Sequence, residues 1–399
     1  MIIKRQLQEE IEKRLFDRKA IIVLGARQVG KTTLLNTMLA SRNDVLWLNG
    51  DLEDTHSLID KTSPAHLKTV IGRSKILVID EAQRIENIGL KLKVIQDAYG
   101  KDLQIIATGS SAFELANEVN EPMTGRKWEY TMFPLSFSEM YSHHGYANEV
   151  AQLENRLLFG YYPDVVTHPA DSKEVLLSLS SDNLYKDIYR WGGIKKTVQF
   201  ENLVKALAFQ IGSQVSINEL SLLTGLDNKT VNRYLTLLEQ AFVIFRLGSY
   251  SGNLRNELKH SSKYFFYDVG IRNAVINDFR PTNLRPDIGG LFENFVIAEL
   301  IKTKNAPSWF WRTTQKQEVD YLEESDGAMM AVEIKWNPKA NARITKTFRD
   351  AYKPAETYKI NRENYANLLL ARTPQVLQGV TADELLESLQ KGIDCIRTV

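Results

Sequence analysis

The run Gly25-Ala-Arg-Gln-Val-Gly-Lys-Thr32 sits between apolar Ile21-Ile-Val-Leu24 and helix-like Thr33-Leu-Leu-Asn-Thr-Met-Leu39. It fits GxxxxGK[ST] at every fixed position, and its neighbours predict a buried strand, a phosphate-binding turn and a helix start. Glycine lets the backbone turn tightly and approach phosphate, so that consecutive N–H groups and the helix N-terminus face the anion. Gly25, Ala26, Arg27, Gln28, Val29, Gly30, Lys31, Thr32 and Thr33 are the expected nucleotide contacts. Lys31 is expected to reach the β- and γ-phosphates, and the Thr32 hydroxyl to ligate Mg²⁺.

Further along, Ile76-Leu-Val-Ile-Asp80-Glu81 is a short apolar run ending in two carboxylates. Such a run predicts a strand buried on both faces of a parallel sheet, and ligands bind such sheets at the strands' carboxyl ends. Asp80 is then placed to hold Mg²⁺ and Glu81 to polarise the attacking water, although carboxylates here also cap helices. Val45-Leu-Trp-Leu48 and Leu103-Gln-Ile-Ile-Ala107 predict two more strands. The second runs into Thr108-Gly-Ser-Ser111, where Ser110 is the expected γ-phosphate sensor. Its plain alternative is a cap on a helix beginning at Ala112. Arg126 is a candidate arginine finger, in cis or toward a neighbouring subunit, against the alternative of a surface arginine. A finger acting in trans implies a homo-oligomer.

Bulk properties exclude more than they specify. Lys+Arg number 50 and Asp+Glu 49 across 399 residues, so a nucleic-acid or membrane surface must be a local patch. No apolar run approaches the roughly 18 residues of a membrane span. With one cysteine, Cys395, and no zinc-like Cys/His spacing, the expected compartment is a reducing cytoplasm.

Residues 201–250 change character. Gln214–Leu226 predicts a short strand and then an amphipathic helix ending at Gly225, and Asp227–Gln240 a second helix from an N-cap, followed by an apolar strand Phe242–Leu247. This is a winged helix-turn-helix pattern. Asn228, Lys229, Asn232 and Arg233 would face a DNA major groove, supported nearby by Arg246, Arg255, Lys259, His260 and Lys263. Docking of a protein partner is the open alternative.

In the C-terminal third, a helix over Gly289–Ile301 precedes strands carrying Glu318-Val-Asp320 and Glu333-Ile-Lys335. Alternation places Glu318 with Asp320, and Glu333 with Lys335. A carboxylate on one strand and Glu-x-Lys on the next is the layout of the PD-(D/E)xK nuclease core. There Asp320 and Glu333, with Glu293 as an added acidic position, would hold Mg²⁺, and Lys335 would act on water. A salt-bridged pair of strands in a domain that does not cut is the alternative.

The order Gly-Ala-Arg-Gln-Val-Gly-Lys-Thr-Thr-Leu, Val-Ile-Asp-Glu-Ala-Gln, Ala-Thr-Gly-Ser-Ser-Ala, Thr-Gly-Arg and Phe133-Pro-Leu-Ser-Phe-Ser-Glu139 resembles a large archaeal and bacterial branch of the AAA+ ATPases. Gly160-Tyr-Tyr-Pro163 and Asn183–Ile188 resemble that branch's helical lid, and Leu291-Phe-Glu-Asn-Phe-Val, Trp311-Arg-Thr and Glu318-Val-Asp-Tyr-Leu its C-terminal domain of unknown function. The resemblance implies ATP as the nucleotide, Mg²⁺, slow hydrolysis and a restriction-endonuclease-like fold at the C-terminus. The expected α/β architecture is a P-loop AAA+ core over residues 1–140, a helical lid over 141–200, a winged helix over 201–250 and a nuclease-like domain over 251–399. The function expected from this is an ATPase that engages DNA, with metal-dependent cutting left open. The alternative is an ATP-gated scaffold that docks proteins.

Overall fold

The computed structural model describes the chain except residues 1, 62, 111–122, 184–187, 190–192, 252–261, 304–305 and 373–399. The helix expected at Ala112, the basic residues Arg255, Lys259 and His260, and Cys395 lie outside the described residues, as does part of Asn183–Ile188.

Five strands form the first sheet: β1 (Ala20–Leu24), β2 (Val45–Asn49), β3 (Ile76–Asp80), β4 (Gln104–Gly109) and β5 (Lys127–Thr131). They run parallel in the order β2-β3-β4-β1-β5. β1 is buried throughout, as are β4 and all of β3 but Asp80, which is why they read as unbroken apolar runs. Because β4 lies between β1 and β3, the phosphate-binding turn and the carboxylate pair emerge on either side of it at one edge of the sheet. Residues 137–178 then form a series of short helices.

Helices Thr197–Phe209, Ile217–Thr224 and Asn228–Gln240 follow. Ser216 caps the second by accepting from Glu219 N, and Asp227 caps the third by accepting from Thr230 N. Gly225, at φ 69°, closes the turn between them. Val231, Tyr234, Leu235, Leu237 and Leu238 are buried on the third helix, while Asn228, Lys229, Asn232 and Arg233 are exposed.

The second sheet has seven strands: β6 (Gln214–Val215), β7 (Ile244–Ser249), β8 (Ser262–Phe266), β9 (Ser308–Arg312), β10 (Glu318–Ser325), β11 (Ala328–Ile334) and β12 (Glu356–Ile360). Their order is β12-β11-β10-β9-β7-β8-β6. The antiparallel hairpin β7–β8 straddles residue 250, and β7 pairs in parallel with β9. The strands interleaved with these helices and those of the C-terminal segment therefore share one continuous sheet.

The Ile288–Thr303 helix packs across this sheet and is buried over most of its circumference, from Leu291 to Leu300. Its fully buried Asn294 accepts from Phe266 N at 2.8 Å and donates to Phe266 O at 2.7 Å, so the side-chain amide satisfies main-chain groups of β8.

Candidate nucleotide site and the C-terminal carboxylate cluster

Gly30, at φ 97°, starts the Lys31–Leu39 helix. A Cβ at Gly25 would lie 2.1 Å from Met132 O, so the turn passes too close to the end of β5 for any side chain. Buried Lys31 donates to the Gly25 and Ala26 carbonyls at 2.9 and 3.0 Å. Thr32 Oγ1 donates to Asp80 Oδ2 at 2.8 Å, which brings the two expected Mg²⁺ contacts together across β4. Glu81, at φ 49°, projects from the same strand end, and its N–H donates to Thr108 Oγ1 at 3.1 Å.

Two further residues complete this end. Thr108 Oγ1 donates to Asp80 Oδ1, and Gln83 Nε2 donates to Glu81 Oε2 at 2.5 Å and to Ser110 Oγ at 3.0 Å. Ser110 is thus buried at the site, but it is joined to Glu81 through Gln83, while Thr108 contacts Asp80 directly. Neither link was visible without the β3–β4 register, which pairs Ile79 with Ala107 and leaves Asp80 beside Thr108.

Arg126 corrects an expectation. Its carbonyl accepts from Ala20 N at the start of β1, so it lies at the sheet edge opposite the phosphate-binding turn. Its guanidinium pairs with Asp97 at 3.2 Å. A finger in cis is excluded by a full strand length of separation.

The N-terminal segment contributes a residue that lies in no motif. Buried Arg5 donates to Val29 O of the turn at 2.6 Å, to Phe133 O at 2.7 Å and to Glu139 at 2.9 Å. Beside it opens a cleft of about 210 Å³ whose lining includes Ile2, Ile3, Gly30, Leu34, Leu135 and Pro163. The Ile288–Thr303 helix reaches the same region. Glu299 Oε2 accepts from Phe137 N at 2.7 Å, and Lys302 donates to Leu135 O at 3.2 Å.

The C-terminal carboxylates assemble differently. Lys335 Nζ bridges Asp320 Oδ2 at 3.0 Å and Glu333 Oε1 at 2.7 Å, and Ile334 N donates to the same Asp320 oxygen at 2.7 Å. Lys263, 1% exposed on β8, bridges Glu293 at 2.9 Å and Glu318 at 2.6 Å above the Phe310 ring. Arg312 also reaches Glu318, at 3.4 Å. Glu318 and Asp320 are therefore held by different cations, and Glu293 sits with Lys263 rather than with Asp320 and Glu333. Among the described residues, no group of three or more His, Cys, Asp or Glu side chains is placed to hold a metal ion. Of the three carboxylates expected to hold Mg²⁺, Asp320 and Glu333 are paired with Lys335 and Glu293 with Lys263.

Burial, reinforced by the Asp320 charge and opposed by Lys263, pushes the Glu293 carboxyl up to about 8. Burial and Asp320 likewise push Glu333 up to about 7, against Lys335. For Lys263, burial favours the neutral amine, but Glu293, Glu318 and Asp320 outweigh it and hold the ammonium above its ordinary value.

Comparison with known proteins bears on the first of these two sites. Residues 17–141 match the family model described as an AAA domain. The N-terminal third has a AAA-type P-loop ATPase-like fold. Residues 150–282 and 288–374 match two models described as domains of unknown function, DUF8612 and DUF4143. An uncharacterised protein of Haemophilus influenzae is 26% identical over 363 residues, covering 83% of this chain and 87% of that protein. One from Mycobacterium tuberculosis is 25% identical over 342 residues, covering 84% and 74%. The Walker-type ATPase PABY2304 of Pyrococcus abyssi aligns with a TM-score of 0.49 at 16% identity, over 69% of this chain and 96% of that one. Among the described residues, no helix is long and apolar enough to cross a membrane.

Proposed function

We propose that the chain binds ATP with Mg²⁺ at the Gly25–Thr33 turn, hydrolyses it, and uses the nucleotide state to control a macromolecule-binding C-terminal half. The observation that carries this reading is the Thr32–Asp80 hydrogen bond beside a turn that only glycine can make. Thr32 and Asp80 would hold the Mg²⁺, which supplies charge neutralisation on the phosphates when bound. Lys31 binds phosphate oxygens, and Glu81, oriented by Gln83, orients and deprotonates water. Ser110 and Thr108 position this carboxylate pair. The apolar cleft walled by Ile2, Ile3, Leu34 and Pro163 suits the flat face of a base. Arg126 enters this reading only as a residue presented to a neighbouring copy.

The macromolecule favoured here is DNA, bound by a winged helix whose Asn228–Gln240 helix exposes Asn228, Lys229, Asn232 and Arg233. A protein partner is the second reading, favoured by Leu222 and Leu223, which are 86% and 62% exposed on the preceding helix.

The test is Mg²⁺-dependent ATP hydrolysis with and without duplex DNA, for wild type, Glu81→Gln and Lys229→Ala/Arg233→Ala. Hydrolysis lost in Glu81→Gln, and a DNA response lost in the double variant, are expected. Hydrolysis indifferent to Glu81 refutes the catalytic assignment, and indifference of wild type to DNA moves the reading to a protein partner.

A further inference from the structure

Six charged side chains on four elements meet at the C-terminal cluster: Lys263 from β8, Glu293 from the Ile288–Thr303 helix, Glu318 and Asp320 from β10, and Glu333 and Lys335 from the end of β11. The nuclease layout requires the carboxylates to converge on a divalent cation. Here each ammonium instead lies between two carboxylates, Lys263 between Glu293 and Glu318 and Lys335 between Asp320 and Glu333.

The two lysines differ in their freedom to leave. The Lys335 side chain is 36% exposed and can turn outward, whereas Lys263 is 1% exposed. Lys263 belongs to a strand paired on both sides, with Leu247 of β7 and Gln214 of β6, and its Nζ lies 5.4 Å from the Phe310 ring centroid. A buried ammonium so fixed repels a second cation and cannot be displaced by side-chain rotation.

We propose that Lys263 is the resident cation of this cluster, so that the site needs no divalent metal and the C-terminal segment binds without cutting phosphodiesters. The same ion pairs have a mechanical consequence. β8 belongs to the hairpin that follows the helix-turn-helix, while Glu293 and Glu318 belong to the C-terminal segment, so Lys263 pins one to the other. A Cβ at Gly212, next to β6, would come within 3.1 Å of Glu293 Oε2, which shows how closely the two parts meet.

The test counts Mn²⁺ bound per chain by electron paramagnetic resonance, without nucleotide, in wild type, Asp320→Asn and Lys263→Met. The same tubes carry supercoiled plasmid to score nicks. Equal counts in wild type and Asp320→Asn are expected, with intact plasmid in both and one additional Mn²⁺ per chain in Lys263→Met. A count lower by one in Asp320→Asn, or nicking by wild type that Asp320→Asn loses, overturns the proposal. A folded Lys263→Met protein that gains no Mn²⁺ overturns the role given to Lys263. If that variant does not fold, the comparison of wild type with Asp320→Asn decides alone.

Discussion

The nucleotide end and the C-terminal cluster use the same residue types, lysine with aspartate and glutamate at strand ends, and arrange them in opposite ways. At the first, backbone makes the site. Gly25 and Gly30 take positive φ angles of 157° and 97°, and Thr32 and Asp80 meet beside them. At the second, side chains fill the site, because each ammonium is already satisfied by two carboxylates at 2.6–3.0 Å. A nest of main-chain N–H groups suits an anion, whereas the cluster sets two lysines among four acidic side chains, each lysine held by two of them.

Substitutions at the two ends should separate accordingly. The largest effect is expected at the nucleotide end, where Lys31→Ala lowers Mg²⁺-ATP turnover by a factor of about 10²–10³, the scale of losing one well-placed donor to developing charge. Steady-state phosphate release measures it. Lys263→Met should cost about 1–3 kcal/mol in denaturant unfolding, because it leaves the partly buried carboxyl groups of Glu293 and Glu318 without the ammonium that bonds them. Restoring most of that loss with Glu293→Gln and Glu318→Gln in the same chain would show that the penalty is electrostatic. No recovery would mean that packing of the lysine stem over Phe310 dominates.

A subtler contrast concerns pH. The Glu293 carboxyl titrates near 8 in the fold against an ordinary glutamate value, so the folded chain holds a proton that the unfolded chain has released. Its stabilising contribution is present in full below the unfolded value and declines as pH rises toward about 8. Unfolding midpoints should therefore fall between about pH 5 and 8, and Glu293→Gln should flatten that slope. Thr108→Val, which removes the hydroxyl donated to Asp80, should slow hydrolysis by about tenfold, the weight of roughly one hydrogen bond to a charged group, while nucleotide affinity changes little. The smallest expected effect is at Lys229 and Arg233. If each contacts one phosphate, each alanine substitution reduces the salt slope of DNA binding by about one.

The same contrast explains what the sequence disclosed. The phosphate-binding turn was legible because its chemistry is local: eight consecutive residues fix glycine conformation, lysine and hydroxyl together, and the flanking apolar runs announce the parallel strands. Asp80 and Glu81 were legible for the same reason. Thr108 and Gln83 were not, since their contacts follow from the β3–β4 register and from the turn after Glu81. Arg5 was hidden by distance, because Val29 and Glu139 come to it only when the chain folds.

At the C-terminus strand alternation points to Glu318, Asp320, Glu333 and Lys335, but it gives no sign of Lys263, which bridges Glu293 and Glu318. Nothing near Lys263 in sequence shows that β8 runs beside Glu293 and Glu318. Arg126 departs from a role in cis for a related reason. A residue just before a parallel strand lies at the opposite sheet edge from a ligand bound after one, and this depended on where β5 begins.

Isothermal titration of Mg²⁺-ATP into wild type and Lys31→Ala tests the central claim most directly. One site per chain in wild type, abolished or at least about a hundredfold weaker in Lys31→Ala, is the result expected of a cradle at the Gly25–Thr33 turn. Equal affinity in the two proteins, or no binding to a folded wild-type chain, would contradict it.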